Sequence, residues 1–590
     1  MSNYFLVTTP LEETWDKNKK IFFLGEWCKQ IHRKNDWGKL NSTTQSYYCN
    51  DKEKLKNNFA YSKILYDDVI DKLSKDLNFY HKTSYSNRYW KIILGPWLRF
   101  FIASVLERYQ NIDQLHNNKN KYETIILKID KNILLPRTCE EFQRLSTSNT
   151  WNHFIYSEII KKIKIQGKIK VIEKKFDDSE NFEGFIQIKV NSKIRQIYSF
   201  FKSFLKKKIK NEKFFITESY LGFFEELKLN VKLGCLPNYD NFEFPQKKNV
   251  DDEKREKYLL KNFNSKNKFE NLLCDLIKIQ LPLSFFENFK EMQKIVLNIN
   301  WPTKPSVIFS SHLLNKSIKS FYTAEKIEKF DTKLVYGQHG GGYGQFDIYD
   351  VIDHELDVCD KFLTWGWSDP VNKKIVPFGI IKDISKIKYN KKNDKILLII
   401  KGYSRYRYEF NSDLFSGQME NYFEECVQFC KQVDSNISEN KLTIRLHAKR
   451  FWNEGLIFKN ELPKIQIEGG YKSIHKLISN YKLVIHSYVA TGYLETLAAN
   501  FPTLIFTNMN YYLLNKETRD GLKILSDAQI FHPNYDSAAN FINKNYENID
   551  AWWNNEKTQK ARSLFCKKYA NINKDTVNDL IKILRSCQTR

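Results

Sequence analysis

Short apolar runs bounded by polar residues recur along this chain, and each reads as a buried strand. They lie at Tyr4–Thr9, Ile21–Leu24, Glu123–Lys128, Phe214–Ile216, Pro305–Ser310, Ile396–Ile400, Lys441–His447, Lys482–Ile485 and Thr503–Phe506. Between them stand segments with helical spacing, such as Ser317–Lys329 and Thr491–Asn500, where Leu494, Leu497 and Ala498 share one face. Alternation of strand and helix predicts an α/β protein built on parallel sheets. Tyr61–Tyr109 reads as mostly helical, with a break at Gly95-Pro96 and Pro96 opening the next helix, and helical patterns continue to about Ile172. Ile375–Ile381, with Pro377 and Gly379, reads as the crossing into a second domain. The expected division is an α/β domain with helical insertions over 1–378, a second Rossmann-like domain over 379–545, and helices over 546–590 that pack back across a cleft.

Three strand ends carry the chemistry. In Lys482–Phe506 (KLVIHSYVATGYLETLAANFPTLIF), strand passes to helix through Ser487, Thr491 and Gly492. A helix N-terminus offers unpaired N–H groups and the positive end of a dipole, so this loop predicts a phosphate site. It also fits an ordinary βαβ unit whose Ser and Thr cap the helix. Lys441–Arg450 (KLTIRLHAKR) ends its strand at His447 beside Lys449 and Arg450, on the sheet edge where open α/β sheets bind ligands. Arg405, in KGYSRYRY after the strand Ile396–Ile400, points to the same edge. Asp331–Gly344 (DTKLVYGQHGGGYG) follows a strand with His339 and Gly340, Gly341 and Gly342, where the absence of side chains permits positive φ and close ligand approach. This loop lacks the Lys-Ser/Thr ending of a P-loop and the spacing of a dinucleotide fingerprint. Its HGGG stands without the G-x-S-x-G elbow of an esterase.

Length and charge narrow the field. The 590 residues suffice for more than one domain, and 42% hydrophobic content marks a globular chain. The formal net charge of +25 suggests anionic partners, although an AT-rich coding sequence would enrich lysine without any functional cause. No zinc-finger, RNA-recognition or basic-zipper signature accompanies it, so nucleic acid is not an expected partner. The ten cysteines are scattered and read as free thiols of a reducing cytosol, without a metal site. The N-terminus lacks the pattern of a signal peptide. The longest apolar stretch, Ile92–Leu106, is interrupted by Pro96 and Arg99 and reads as too short to span a bilayer. Asn191–Lys210 (NSKIRQIYSFFKSFLKKKIK) is a basic amphipathic helix candidate, either packed on the core or docked on anionic lipid.

The segments TPLEETW (9–15), FLGEWC (23–28), RYWKIILGPWL (88–98), GQHGGGYG (337–344), FLTWGW (362–367), Arg445-Leu446-His447 and HSYVATGYLE (486–495) resemble a family of transferases encoded in bacterial O-antigen and surface-polysaccharide gene clusters. The chain is also similar to GT-B glycosyltransferases. That likeness implies two Rossmann-like domains facing a cleft, a nucleotide sugar in the second, a glycan or lipid-linked glycan acceptor, and transfer without metal or cofactor. His447 and Ser487 resemble the elements by which sialyl- and Kdo-transferase-like enzymes hold CMP, which implies a CMP-activated 3-deoxy-ulosonic acid. Here, however, Ala448 stands where Pro usually follows the His. The resemblance thus assigns Arg405, His447, Ser487, Thr491 and Gly492 to the nucleotide, Glu13 and His339 to catalysis, and Glu26 and Gly340–Gly342 to the acceptor side. The lack of a signal-peptide pattern or spanning helix, with the strong basic charge and the Asn191–Lys210 segment, leads us to expect a cytoplasmic protein working at the inner face of an anionic membrane. Two alternatives remain open at this point: a non-catalytic subunit of a polysaccharide assembly complex, and a polyol-phosphate transferase on the same frame.

Overall fold

The computed structural model of the chain describes residues 3–588 except 118, 164–167, 177–205, 239–243, 246–248, 262, 264 and 450. Its fold is α/β, built on parallel sheets. The span 1–378 divides its strands between two sheets, so the described residues form three. The first has the order β3-β2-β1-β4-β5, from β1 (Asn3–Val7), β2 (Ile21–Phe23), β3 (Ser42–Thr44), β4 (Lys121–Lys128) and β5 (Ile169–Lys175). The second has the order β10-β9-β8-β7-β6, from β6 (Phe214–Thr217), β7 (Val307–Ser310), β8 (Lys333–Gly337), β9 (Lys361–Thr364) and β10 (Ile375–Pro377). The third has the order β13-β12-β11-β14-β15-β16, from β11 (Ile396–Ile399), β12 (Leu442–Arg445), β13 (Gln466–Glu468), β14 (Leu483–His486), β15 (Thr503–Phe506) and β16 (Phe531–His532).

Strand composition explains the topology. The central strands ILLI, LVIH and TLIF are buried at every position, as parallel strands covered on both faces must be. The edge strands β3, β5 and β13 are short, polar or lysine-rich, which discourages pairing with another chain. In the third sheet Ile399 pairs with Arg445 on one side and His486 on the other. The loops that begin at Ile400, Leu446 and Ser487 therefore leave the sheet side by side.

Several boundaries differ from the sequence expectation. The helical break falls between Lys52–His81 and Asn87–Asp113, not at Gly95-Pro96. Left-handed Lys82 ends the first helix, and Ser86 caps the second by accepting from the Tyr89 N–H, whereas Pro96 sits inside a continuous helix. Gly95 is needed there for packing, since a Cβ would come 2.6 Å from the Tyr66 hydroxyl and 3.1 Å from His354. The stretch Asn87–Asn117 is long and apolar enough to cross a membrane, but its most apolar 18 residues are 94% buried inside the molecule as part of a core helix. Ile169–Lys175 is a strand rather than the end of a helix, because it pairs with β4 along its whole length. Ile375–Pro377 is the edge of the second sheet, so the crossing to the third follows it. Of the basic segment Asn191–Lys210, positions 191–205 lie outside the described residues, and Lys206–Lys210 forms a short helix.

The sheets are joined by buried arginines and by the C-terminal tail. Arg108 donates to Glu107, to Asn152 and to the Arg407 carbonyl. Arg405 lies over the Trp452 ring and donates to the Lys29 carbonyl at 2.7 Å, tying the third sheet to the first. Helix Thr576–Ser586 places Val577, Leu580, Ile581 and Leu584 against Phe214, Ile216, Val307, Phe309, Val335 and Leu363 of the second sheet.

Candidate active site

A cavity of about 560 Å³ opens where the third sheet meets the connection between the first and second sheets. From the third sheet come Gly402, Tyr403 and Ser404 after β11, and His447, Lys449 and Phe451 after β12. The rest of the lining includes Glu140, Gln143, Arg144 and Thr147, with Asn315 and Lys316 after β7. Its size falls within the range of ligand sites, about 300–1,000 Å³.

His447 stands on this wall because Gly402 makes room for it; a Cβ at Gly402 would lie 2.4 Å from the His447 Cβ. The Lys449 N–H donates to His447 Nδ1 at 3.1 Å. The Lys449 carbonyl oxygen lies 3.3 Å from the same nitrogen, so the Lys449 backbone orients the ring through Nδ1. Desolvation holds the His447 pKa below the ordinary imidazole range, so at neutral pH the ring is an uncharged donor. Lys449 supplies charge beside it and has no ion-pair or hydrogen-bond partner for its ammonium group among the described residues.

The other sequence-derived residues are placed differently. Arg405 does not face the cavity, because its guanidinium binds the carbonyls of Trp27, Lys29 and Phe451. The Ser487 hydroxyl is buried under Tyr422 at 2.6 Å and donates to the Ile399 carbonyl at 2.8 Å, so it holds the sheet edge together rather than offering an open phosphate donor. Helix Thr491–Ala498 starts at Ala490, with no side-chain cap, so neither Ser487 nor Thr491 caps it. The Thr491 hydroxyl instead accepts the Gly341 N–H at 2.9 Å, which lays the glycine loop on the helix end. Gly340 and Gly341 both permit that contact; a Cβ at Gly341 would stand 2.2 Å from the Ala490 carbonyl oxygen. Gly342 has φ +89°, the left-handed region that glycine favours. Gly492 lets the helix approach the ring of buried His486, which a Cβ would meet at 2.9 Å. Glu13 lies at the end of the first sheet, outside the cavity, where its carbonyl accepts from Lys174. Glu26, also outside the cavity, pairs with Lys29 at 2.7 Å, and burial with the nearby Glu420 raises its carboxyl pKa against the pull of Lys29.

His339 sits one side chain behind the cavity wall. Asn315 receives the His312 Nε2–H at 2.7 Å, and the His312 ring stands edge-on to His339 at 4.8 Å between centroids. His339 Nδ1 is 3.0 Å from the Tyr343 hydroxyl, which reaches Glu355 at 2.9 Å. Burial holds both imidazoles below their ordinary range and raises the Glu355 carboxyl well above the ordinary carboxylate range. Sequence reading missed His312, Tyr343 and Glu355. For His312 the signal was present, since it follows β7 as His447 follows β12. Glu355 and Tyr343 gave no such signal, because they meet only through the loop's tertiary path.

The model of one protein family matches residues 4–584. The chain belongs to the LIC12162 family of transferases. As a LIC12162 family transferase it carries most of the segments that bore the resemblance at strand ends, while RYWKIILGPWL lies within the core helix Asn87–Asp113. No curated protein matches it. Among solved structures it is similar to the wall teichoic acid polymerase TagF, at 9% identity over 51% of this chain and 84% of that one, with a TM-score of 0.30. It is also similar to S. aureus TarM, in a complex with fondaparinux, α-GlcNAc-glycerol and UDP, at 14% identity over 48% of this chain and 55% of that one, with a TM-score of 0.30. A third is OtsA, at 9% identity over 51% and 76% of the two chains, with a TM-score of 0.31.

Proposed function

We propose that this transferase moves a glycosyl group, or a polyol phosphate, from a nucleotide-activated donor to a surface-polysaccharide acceptor such as an O-antigen. The observation that carries the reading is the turn at His447–Lys449. There a neutral imidazole, oriented by the Lys449 backbone, stands next to an ammonium without a partner among the described residues, on the wall of a ligand-sized cavity. Such a pair suits a phosphate ester, and stabilising the charge that develops on a leaving phosphate is usually the largest catalytic term. In a glycosyl transfer the acceptor oxygen forms the new bond to the anomeric carbon as the bond to the nucleotide breaks. Its proton passes to a base, and His339, neutral at pH 7 and linked to the cavity through His312 and Asn315, is the proposed acceptor of that proton. A CMP-activated 3-deoxy-ulosonic acid remains the donor suggested by likeness, now on His447 alone, since Ser487 is engaged within the sheet.

Thermal-shift titration with CMP, CDP, UDP and GDP tests the site. A ligand that binds only the folded state raises its stability with concentration. At least one nucleotide is expected to stabilise the protein, equally in chelator and in magnesium, because the proposed site neutralises phosphate with side chains. His447→Ala is expected to weaken that binding by about 1.5–3 kcal/mol, one hydrogen bond to a charged group. No stabilisation by any of the four, or an unchanged affinity in a folded His447→Ala protein, rejects the site. Stabilisation that needs magnesium rejects metal independence alone.

An acceptor carried at the cytoplasmic face of a membrane belongs to the same proposal, on the strength of the net charge of +25. Each Lys or Arg near an anionic surface contributes about 1 kcal/mol, so the expected binding to anionic vesicles is salt-sensitive. Equal sedimentation with neutral and anionic vesicles removes the membrane from the proposal.

A further inference from the structure

We infer that the part of the cavity lined by helix Cys139–Leu145 is an acceptor subsite for an acidic sugar, with Arg144 as the group that reads its carboxylate or phosphate. The inference rests on the transferase reading above and adds a substrate class to it.

Arg144 is the exception among the arginines around it. Arg99 is bound to Asp350 and Asp357, Arg108 to Glu107, Arg255 to Glu287 and Arg445 to Glu468, and Arg405 is held by carbonyl oxygens. The Arg144 guanidinium is half-buried in the cavity wall and has no partner among the described residues. A carboxylate is within reach by sequence, since Glu140 precedes it by one helical turn on helix Cys139–Leu145, the spacing that favours an ion pair. Glu140 does not make that pair. Its two oxygens accept from the Ser317 N–H, at 2.6 Å, and from the Ser317 hydroxyl, at the start of helix Ser317–Phe330. That helix end neutralises it, and Arg144 keeps its charge for the cavity.

The neighbours complete a polar cradle. Gln143 Oε1 accepts from Asn315 Nδ2 at 3.0 Å, while Asn315 Oδ1 accepts from His312. The amide of Gln143 is therefore oriented with its NH₂ left for a ligand. Thr147 donates to the Arg144 carbonyl at 2.8 Å, which leaves its oxygen as an acceptor for a sugar hydroxyl. Phe244, Tyr403 and Phe451 line the same space and offer apolar faces for a sugar ring. The lining carries Arg144 and Lys449, with Lys316 3.6 Å from Glu218, against the single carboxylate of Glu140, so the cavity favours negative charge. Donor phosphate at His447 and Lys449 accounts for one anion, and Arg144, from a different element of the same lining, accounts for a second.

The test uses the full chain and sugars of defined charge. Saturation-transfer NMR with millimolar D-glucuronate, D-glucose 6-phosphate and D-glucose is run on the native protein, Arg144→Ala, Arg144→Lys and His447→Ala, each first shown to unfold at the native midpoint. The native protein is expected to bind glucuronate or the sugar phosphate in preference to glucose, and the two acids separate a carboxylate reader from a phosphate reader. Arg144→Ala is expected to lose that binding by about tenfold or more, with Arg144→Lys recovering part of it, while its nucleotide stabilisation stays native. His447→Ala is expected to show the converse. Binding of neither acid, equal binding of glucose, or indifference to Arg144→Ala overturns the subsite. Loss of nucleotide stabilisation in Arg144→Ala overturns it too, by moving Arg144 to the donor side. Failure of the transferase reading is seen separately, as a nucleotide response that is absent from the native protein.

Discussion

Arg108→Ala is expected to lower the unfolding free energy by about 3–5 kcal/mol, the cost of stranding a buried partner charge. The Arg108 side chain has no exposed surface, and that of Glu107 is 2% exposed, with 2.9 Å between their charged atoms. The same guanidinium binds Asn152 Oδ1 at 2.7 Å and the carbonyls of Ser104 and Arg407, so it joins the long core helix to the loop that leaves β11. Truncation leaves Glu107 with only its bond from Asn111, and leaves the Arg407 carbonyl without this donor. If stranded charge is the cause, the double variant Arg108→Met with Glu107→Leu should be far less damaged than the single one. Equilibrium urea unfolding followed by tryptophan fluorescence measures both. A loss below about 1 kcal/mol in Arg108→Ala, the scale of a surface pair, would show that the network is not a structural joint.

Gly341→Val is expected to reduce turnover on the order of 100-fold, the effect of moving reacting groups by about an ångström. It is also expected to cost about 1–3 kcal/mol of stability, as overpacking does. Sequence reading gave this glycine a role in ligand approach and positive φ. Positive φ belongs to Gly342 and Gly344, at +89° and +68°, and not to Gly341. What Gly341 supplies is room, since a Cβ would stand 2.2 Å from the Ala490 oxygen and 2.9 Å from the Thr491 nitrogen, both backbone atoms. The loop must therefore lift from the helix, breaking the bond from Gly341 N–H to Thr491 and displacing His339. Gly341→Ala already meets this clash, so the two variants should fail together. Native turnover with native stability in either one would remove the contact from the mechanism.

The sequence was most legible where one chemical pattern sufficed. Apolar runs such as ILLI and TLIF have to be buried parallel strands, and each was placed to within a residue or so. A strand end plus cations is a local signal, and His447, which carries it, lines the cavity. Arg405 and Ser487 show the limit. Both lie at the expected sheet edge, yet whether a donor faces a ligand or a neighbouring carbonyl depends on which loop packs over it, and Lys29 and Ile399 are distant in sequence. The division of the first half into two sheets was equally hidden, because strand order follows from helix packing that no single segment records. Arg144 could not be found from sequence, since its freedom follows from Glu140 turning to Ser317.

The return of helix Thr576–Ser586 to the second sheet has a consequence for biosynthesis. All strands of that sheet have been made once residue 377 is added, yet the side chains that cover Phe214, Val307 and Val335 arrive only with Val577–Leu584. At about 5–20 residues per second, ribosomes leave that apolar face without its final cover for about 10–40 s. The nascent chain must wait in that state, exposed to chaperones and to its neighbours on the polysome, and any chain released before residue 576 keeps the bare face permanently.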